Sequence, residues 1–215
     1  MGLIATDKGG GDFIPLAEGI HVGVCDMVID LGVQPGGLYG PKHKCYIRFN
    51  VPAERRKWSD EKGDHEGPAT TANFFPVSMH AESNLRKFIE SWFGKGMGVA
   101  AASFDLFKLL GRAAQIQVVH KARAKGGVNT SVKTIMALPK GLPPPVSETR
   151  LIGYSTTEQS MVGGVVTPAT EVLAMLPEGL RRMIGQQIID RPVETTATQA
   201  ATPAGSEFAE DDMPF

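Results

Sequence analysis

Cations and an aromatic ring alternate along one short stretch of the chain. Lys44, Tyr46 and Arg48 lie at positions i, i+2 and i+4, so in a β-strand all three point to one side of the sheet. Cations with this spacing neutralise phosphates, and a ring between them offers a surface on which bases stack. The pattern predicts a nucleic-acid-binding face. The alternative is a solvated strand face with a tyrosine kept for packing.

A second cluster lies in residues 53–71, a hydrophilic stretch that contains Arg55, Arg56, Lys57 and Trp58. We predict a loop here, because the stretch is too polar to be core. Three cations beside an indole suit a flap that closes over a bound strand. A charged surface loop with Trp58 tucked against the domain is the alternative.

Two further places offer the same chemistry. Phe74 and Phe75 are neighbours of opposite parity, and Phe74 is the better candidate for base stacking because Phe75 shares its parity with apolar residues. Lys121, Arg123 and Lys125 form a basic hairpin that either guides phosphates or keeps a turn soluble.

Five segments have the apolar alternation of strands, and one has helical spacing. Ser83 can cap a helix over residues 83–93 that ends at Gly94, and a second short helix is predicted over 104–110. Three strands, a helix and two strands is the order of an OB-fold, a small barrel that binds oligonucleotides. We therefore predict a mainly β chain: a five-stranded OB-fold barrel with a helix inserted between strands 3 and 4. The predicted strands are residues 18–31, 43–51, 72–80, 112–121 and 129–138.

The chain changes character after this region. Prolines at 139 and 143–145 predict a stiff spacer, and residues 170–190 have the apolar stripe of a helix, which Pro177 divides. Residues from 192 onward have the composition of a flexible linker and a disordered acidic tail. The predicted units are an OB-fold domain over 1–142, a spacer with a helical appendage over 143–191, and a linker with an acidic tip over 192–215.

Charge is divided between the two parts. Residues 1–150 contain 19 Lys and Arg against 14 Asp and Glu, and residues 151–215 contain 3 against 9, so the net charges are +5 and −6. A basic body suits a polyanion, and an acidic tail suits contacts with other proteins. The sequence contains neither a long apolar run nor a signal-peptide core, which predicts a soluble intracellular protein.

Motifs for catalysis are weak. The glycines of residues 94–98 lack the Gly-Lys-Ser/Thr ending of a phosphate loop. His43, Cys45 and His65 do not have paired metal-ligand spacing, and we expect Cys25 and Cys45 to be buried thiols. We predict no enzyme activity, no cofactor and no metal. A nuclease is disfavoured because clustered acids for metal ions are missing.

The last six residues form an acidic run closed by an apolar tripeptide and, in this sequence, the α-carboxylate: Glu210, Asp211, Asp212, Met213, Pro214 and Phe215. Such an end suits a basic-rimmed apolar pocket on another protein. It resembles the C-terminal tip of bacterial single-stranded DNA-binding proteins, usually written DDDIPF. The resemblance implies that the last five residues bind host replication and repair proteins.

Residues 75–141, with "SMHAESNLRKFIESWFGKG", "FDLFKLLGRAAQIQVVH" and "TIMALPKG", resemble phage-encoded OB-fold proteins that bind single-stranded DNA. The two resemblances imply a protein that coats single-stranded DNA in phage or prophage replication or recombination, in the cytoplasm of a bacterial host. The alternative is an interaction protein that imitates the tip to divert host enzymes. No membrane partner is expected, and a homodimer is left open.

Overall fold

The computed structural model describes residues 15–36, 40–60, 63–94, 104–122, 127–157 and 159–187. A short 3₁₀ helix at Leu106–Leu109 lies where the second short helix is predicted. The strands are β1 (Gly19–Gln34), β2 (Lys42–Asp60), β3 (Gly63–Pro76), β4 (Ala113–Ala122), β5 (Val128–Met136), β6 (Ile152–Tyr154), β7 (Ser160–Val162) and β8 (Val165–Thr167), and the helices are α1 (Asn84–Phe93), α2 (Ala169–Met175) and α3 (Glu178–Gly185).

The strands form one open sheet in the order β3-β2-β1-β6-β7-β8, and β4 pairs with β1 and with β5. The prediction of a mainly β chain is confirmed. Within the described residues, the backbones of β3 and β5 form no ladder, so these five strands do not close into a hydrogen-bonded barrel.

Strand β1 is the centre of the sheet. Its first part, Gly19 to Val24, pairs with β4, and its second part, from Val24 to Gln34, pairs with β2. The two parts meet at Val24, and a register shift follows between Cys25 and Met27, as expected for a strand that bends between two partners. Strand β6 joins the second part in parallel.

Both faces of β1 are covered, each by a different core. Cys25 and Val28 belong to the core beneath α1, whereas Met27, Ile29 and Leu31 belong to a second core formed with β6, α2 and α3. A strand buried on two faces accounts for the nearly continuous apolar run at this place in the sequence.

Helix α1 begins after Ser83, whose hydroxyl accepts a hydrogen bond from the Arg86 N–H, and it ends at Gly94, whose φ is 81°. The predicted helix and its cap are confirmed. Four side chains anchor it in the first core: Leu85, Phe88, Ile89 and Trp92. Ser91 donates from its hydroxyl to the Ile135 carbonyl, which fixes the helix beside β5.

The prediction of a loop over residues 53–71 is wrong. Strands β2 and β3 remain paired from Arg55 opposite Pro68 to Asp60 opposite Gly63, beyond a register shift after Val51. The polar composition reflects a two-stranded arm with solvent on its faces, since cross-strand pairs can stabilise a ladder outside the core. Trp58 lies over Gly67, where a Cβ would come 3.1 Å from the ring atom Cη2.

The C-terminal part contains three short strands that the sequence did not indicate. Strands β6, β7 and β8 extend the main sheet, α3 packs on β1, and α2 packs on β6 and β7. The predicted break at Pro177 is confirmed, because α2 ends before it and α3 begins at Glu178. Among the described residues, no helix has the length and apolar character needed to cross a membrane.

Candidate nucleic-acid interface

A groove of about 810 Å³ lies between β3, β5 and α1. Its described charged lining residues are all lysines: Lys87 from α1, Lys121 from β4 and Lys133 from β5. Lys87 pairs with Glu82 at 2.5 Å, but both side chains are exposed, so water screens that pair strongly. The groove therefore offers positive charge to an anionic ligand.

One side chain spans the gap between β3 and β5. The Asn73 amide donates to the Val132 carbonyl at 2.7 Å and accepts from the Val132 N–H at 2.9 Å. It thus makes the two bonds that a paired backbone residue would make. We call this place the seam, defined by Asn73 and Val132. The seam holds the two strands together without a ladder.

Two aromatic rings lie at one side of the groove. The centroids of Tyr46 and Phe74 are 5.1 Å apart, with a 57° angle between the ring planes. Phe74 is 51% exposed, whereas Tyr46 is half-buried against the second core, and burial raises the pKa of its phenol. Phe74 is thus the ring that can receive a base, and Tyr46 supports it.

Two hydroxyls of the groove lining lack partners. Thr71 is 2% exposed, and its Oγ1 atom makes no hydrogen bond within the part of the chain that the structure describes. The same is true of the buried Oγ atom of Ser131. Thr71 lies on β3 and Ser131 on β5, and both line the groove.

Arg48 does not lie on the solvated face that the sequence predicted. Its guanidinium donates to both carboxylate oxygens of the fully buried Asp26, at 3.1 and 2.7 Å. Although burial alone would lower the pKa of Arg48, the hydrogen bonds and charge of Asp26 raise it. The C-terminal part covers this face: Thr149 donates to the same carboxylate. The predicted role of Arg48 as a phosphate contact therefore conflicts with its place in the fold, where it is bound to Asp26.

The cations of the β2–β3 arm are separate from the groove. Arg55 forms ion pairs with Glu66 at 3.1 Å and with Glu148. Arg56 is half-buried, and burial lowers its pKa, whereas Lys57 is exposed. Trp58 is 49% exposed and stacks on His65, with centroids 5.5 Å apart. The arm thus presents an exposed ring and two exposed cations, Arg55 and Lys57, of which Arg55 is ion-paired, and none of them lines the groove.

The sequence thus identified part of the groove. Tyr46, Phe74 and Lys121 line it, whereas Lys44 is half-buried on β2 outside it. Lys87, Lys133 and the seam also belong to this site and were not predicted from the sequence. Lys133 could have been found from its place in the alternation of strand 5. Arg123, Lys125 and the tip residues Asp211, Asp212, Met213, Pro214 and Phe215 lie outside the described residues.

The described residues hold no cluster of three or more His, Cys, Asp or Glu side chains that could bind a metal. Cys25 and Cys45 are buried free thiols, and burial raises the pKa of Cys45 to about 12. A thiol of such high pKa is a poor nucleophile at neutral pH.

No family model, curated protein or solved structure matches the chain.

Proposed function

We propose that this chain binds single-stranded DNA in the groove between β3, β5 and α1, without catalysing a reaction. The observation that carries the proposal is the lining of the groove: lysines from three elements, no described carboxylate, and the exposed ring of Phe74. Lysines hold phosphates without reading sequence, and an exposed ring stacks on any base.

The order of elements supports an OB-fold arrangement for β1–β5. Strand β1 pairs with both β2 and β4, and α1 lies between β3 and β4 in the chain. We propose that the seam replaces the closing ladder of the barrel. The unpaired edges of β3 and β5 then border the binding groove, where a closed barrel would have no gap.

The second part of the proposed function is recruitment. The acidic tip, including Asp211 and Phe215, offers charge and an apolar anchor that suit a basic-rimmed pocket on host replication or repair proteins. The protein would then coat DNA strands in phage or prophage replication or recombination and bring host enzymes to them. An interaction protein that diverts such enzymes is the alternative, and the same tip favours it.

The DNA test is a titration of fluorescently labelled oligothymidine, and of a duplex of the same length, at low and moderate salt. Tight binding to the single strand and much weaker binding to the duplex is expected. Equal affinity for both, or negligible affinity for both, would contradict the proposal that the protein coats single-stranded DNA. The alternative of an interaction protein would then be favoured.

The recruitment test compares wild type with Phe215→Ala in binding to a purified host protein that reads such tips. Loss of the ring empties the partner pocket and keeps every acidic side chain, so affinity should fall by about 2 kcal/mol or more. Equal binding of both proteins would mean that the tail acts as bulk negative charge.

A further inference from the structure

The seam region holds buried polar groups that the fold does not use. Thr71 lies two residues before Asn73 on β3, and Ser131 lies one residue before Val132 on β5, so the two hydroxyls flank the seam. Neither oxygen has a hydrogen-bond partner within the described residues. A buried hydroxyl without a partner destabilises a fold, and native structures contain few of them.

A threonine is not needed at position 71 for packing. Valine has nearly the same shape without the hydroxyl, and the residue opposite Thr71 on β2, Phe49, is an apolar member of the first core, as is Ala69 two positions before it on β3. The lining of the groove combines these hydroxyls with the three lysines and Phe74. The two hydroxyls therefore lie where the proposed DNA ligand would be held.

We propose that Thr71 and Ser131 form a subsite that binds the hydrogen-bonding edge of an unpaired nucleobase. A hydroxyl both donates and accepts, so two of them can match a base edge such as that of thymine. Both oxygens are buried, so a base enters only when β3 and β5 separate at the seam, which the two hydrogen bonds between Asn73 and Val132 hold together.

This subsite rests on the proposed DNA binding and adds a reason for strand selectivity to it. In a duplex the Watson–Crick edges are already paired, so they cannot enter the seam. In a single strand they are free, and the lysines of the groove hold the phosphates on either side. The lysines and Phe74 supply affinity for any strand, whereas Thr71 and Ser131 distinguish a base edge from bare backbone.

The test measures binding of wild type, Thr71→Val, Ser131→Ala and Thr71→Ser to oligothymidine and to an abasic deoxyribose-phosphate oligomer of the same length. Each hydroxyl deletion should weaken oligothymidine binding about fivefold, the equivalent of one hydrogen bond, and leave abasic binding unchanged. Thr71→Ser should retain most of the affinity. Thr167→Val, which removes a hydroxyl in β8 outside the groove lining, is the matched control and should bind like wild type.

Melting temperatures complete the test. Because Thr71→Val removes an unpartnered buried hydroxyl, it should melt at the wild-type temperature or about 2–4 °C above it. Unchanged oligothymidine affinity in both deletion variants would overturn the subsite and leave the DNA groove intact. Equal losses on both oligomers, or a loss accompanied by a lower melting temperature, would also overturn it. Wild type that binds neither oligomer would overturn the proposed function together with the subsite.

Discussion

Two polar clusters on the same sheet differ in how far their groups are paired. On the face covered by the C-terminal part, Arg48 makes two hydrogen bonds to Asp26, and Thr149 adds a third. At the groove, by contrast, Thr71 and Ser131 lack partners among the described residues. Burial of charge is tolerated where geometry pairs it. The first cluster therefore belongs to the fold, and the second is available to a ligand.

The Arg48→Ala variant should show the largest effect. It leaves the Asp26 carboxylate, which is 0% exposed, without its cation, and breaking such a pair costs about 3–5 kcal/mol. Urea unfolding should show this loss. The Asp26→Ala, Arg48→Ala double variant should recover part of it, because no charge then remains buried. The salt dependence of oligothymidine binding by Arg48→Ala, measured under conditions in which this variant is folded, should match that of wild type.

Lys44→Ala is the control for that variant, since Lys44 is a half-buried cation of the same strand. The free energy of unfolding of Lys44→Ala in urea should be close to that of wild type. An Arg48→Ala protein as stable as wild type, with a flatter salt dependence of binding, would return Arg48 to the DNA contacts and contradict the division into two clusters.

The Phe74→Ala variant should show the next largest effect, on binding instead of stability. The ring is 51% exposed in the groove. Its loss should weaken oligothymidine binding by about 1–3 kcal/mol, the free energy that stacking of one base contributes. Trp58→Ala is the matched comparison, because its ring is similarly exposed at 49% but lies on the arm. A larger loss from Trp58→Ala would move the binding surface to the arm.

Removal of two groove lysines should have a smaller effect at moderate salt. Lys121→Ala combined with Lys133→Ala should flatten the slope of log K against log salt by about 1.4, if each neutralises one phosphate of a single strand. Lys140→Ala, at an exposed position outside the groove lining, should leave the slope unchanged. Equal slopes in the double variant and wild type would show that phosphates lie elsewhere.

The helix boundaries were predicted correctly where a single capping residue or proline determines them. Ser83 and Gly94 mark the ends of α1, and Pro177 separates α2 from α3, because caps and prolines act within a few residues. The central strand β1 was also predicted, over residues 18–31. These features depend on short-range chemistry that a single sequence contains.

What could not be predicted depends on distant parts of the chain. Arg48 was expected to face solvent because Asp26, 22 positions away, and the covering C-terminal part are not visible from the pattern of β2. Likewise, the seam joins Asn73 to Val132 across 59 positions. Alternation assigns a side chain to a face of a strand, but it does not show what covers that face.

The smallest predicted effect concerns Asp30, a paired carboxylate of β1 that lies opposite Cys45 of the first core. Its carboxylate accepts from His43 at 2.6 Å, from the Gly32 N–H at 2.8 Å and from the Thr156 hydroxyl at 2.7 Å. Burial alone would raise the pKa of Asp30, but these hydrogen bonds lower it from its ordinary value of 3.8.

Because the folded-state pKa of Asp30 is lowered, its contribution to stability is fully present above the unfolded-state value and is lost as the pH falls through the folded-state value. Asp30→Asn should therefore cost about 1 kcal/mol at neutral pH, roughly one net hydrogen bond. It should also flatten the fall of melting temperature on acidification below about pH 4. Glu171→Gln, an exposed acid of α2, should leave that fall unchanged. If Asp30→Asn loses stability on acidification as steeply as wild type, the hydrogen bonds to Asp30 do not stabilise the fold. If it also weakens oligothymidine binding, a group that is paired within the fold would contribute to ligand binding, and pairing would no longer distinguish groups of the fold from groups available to a ligand.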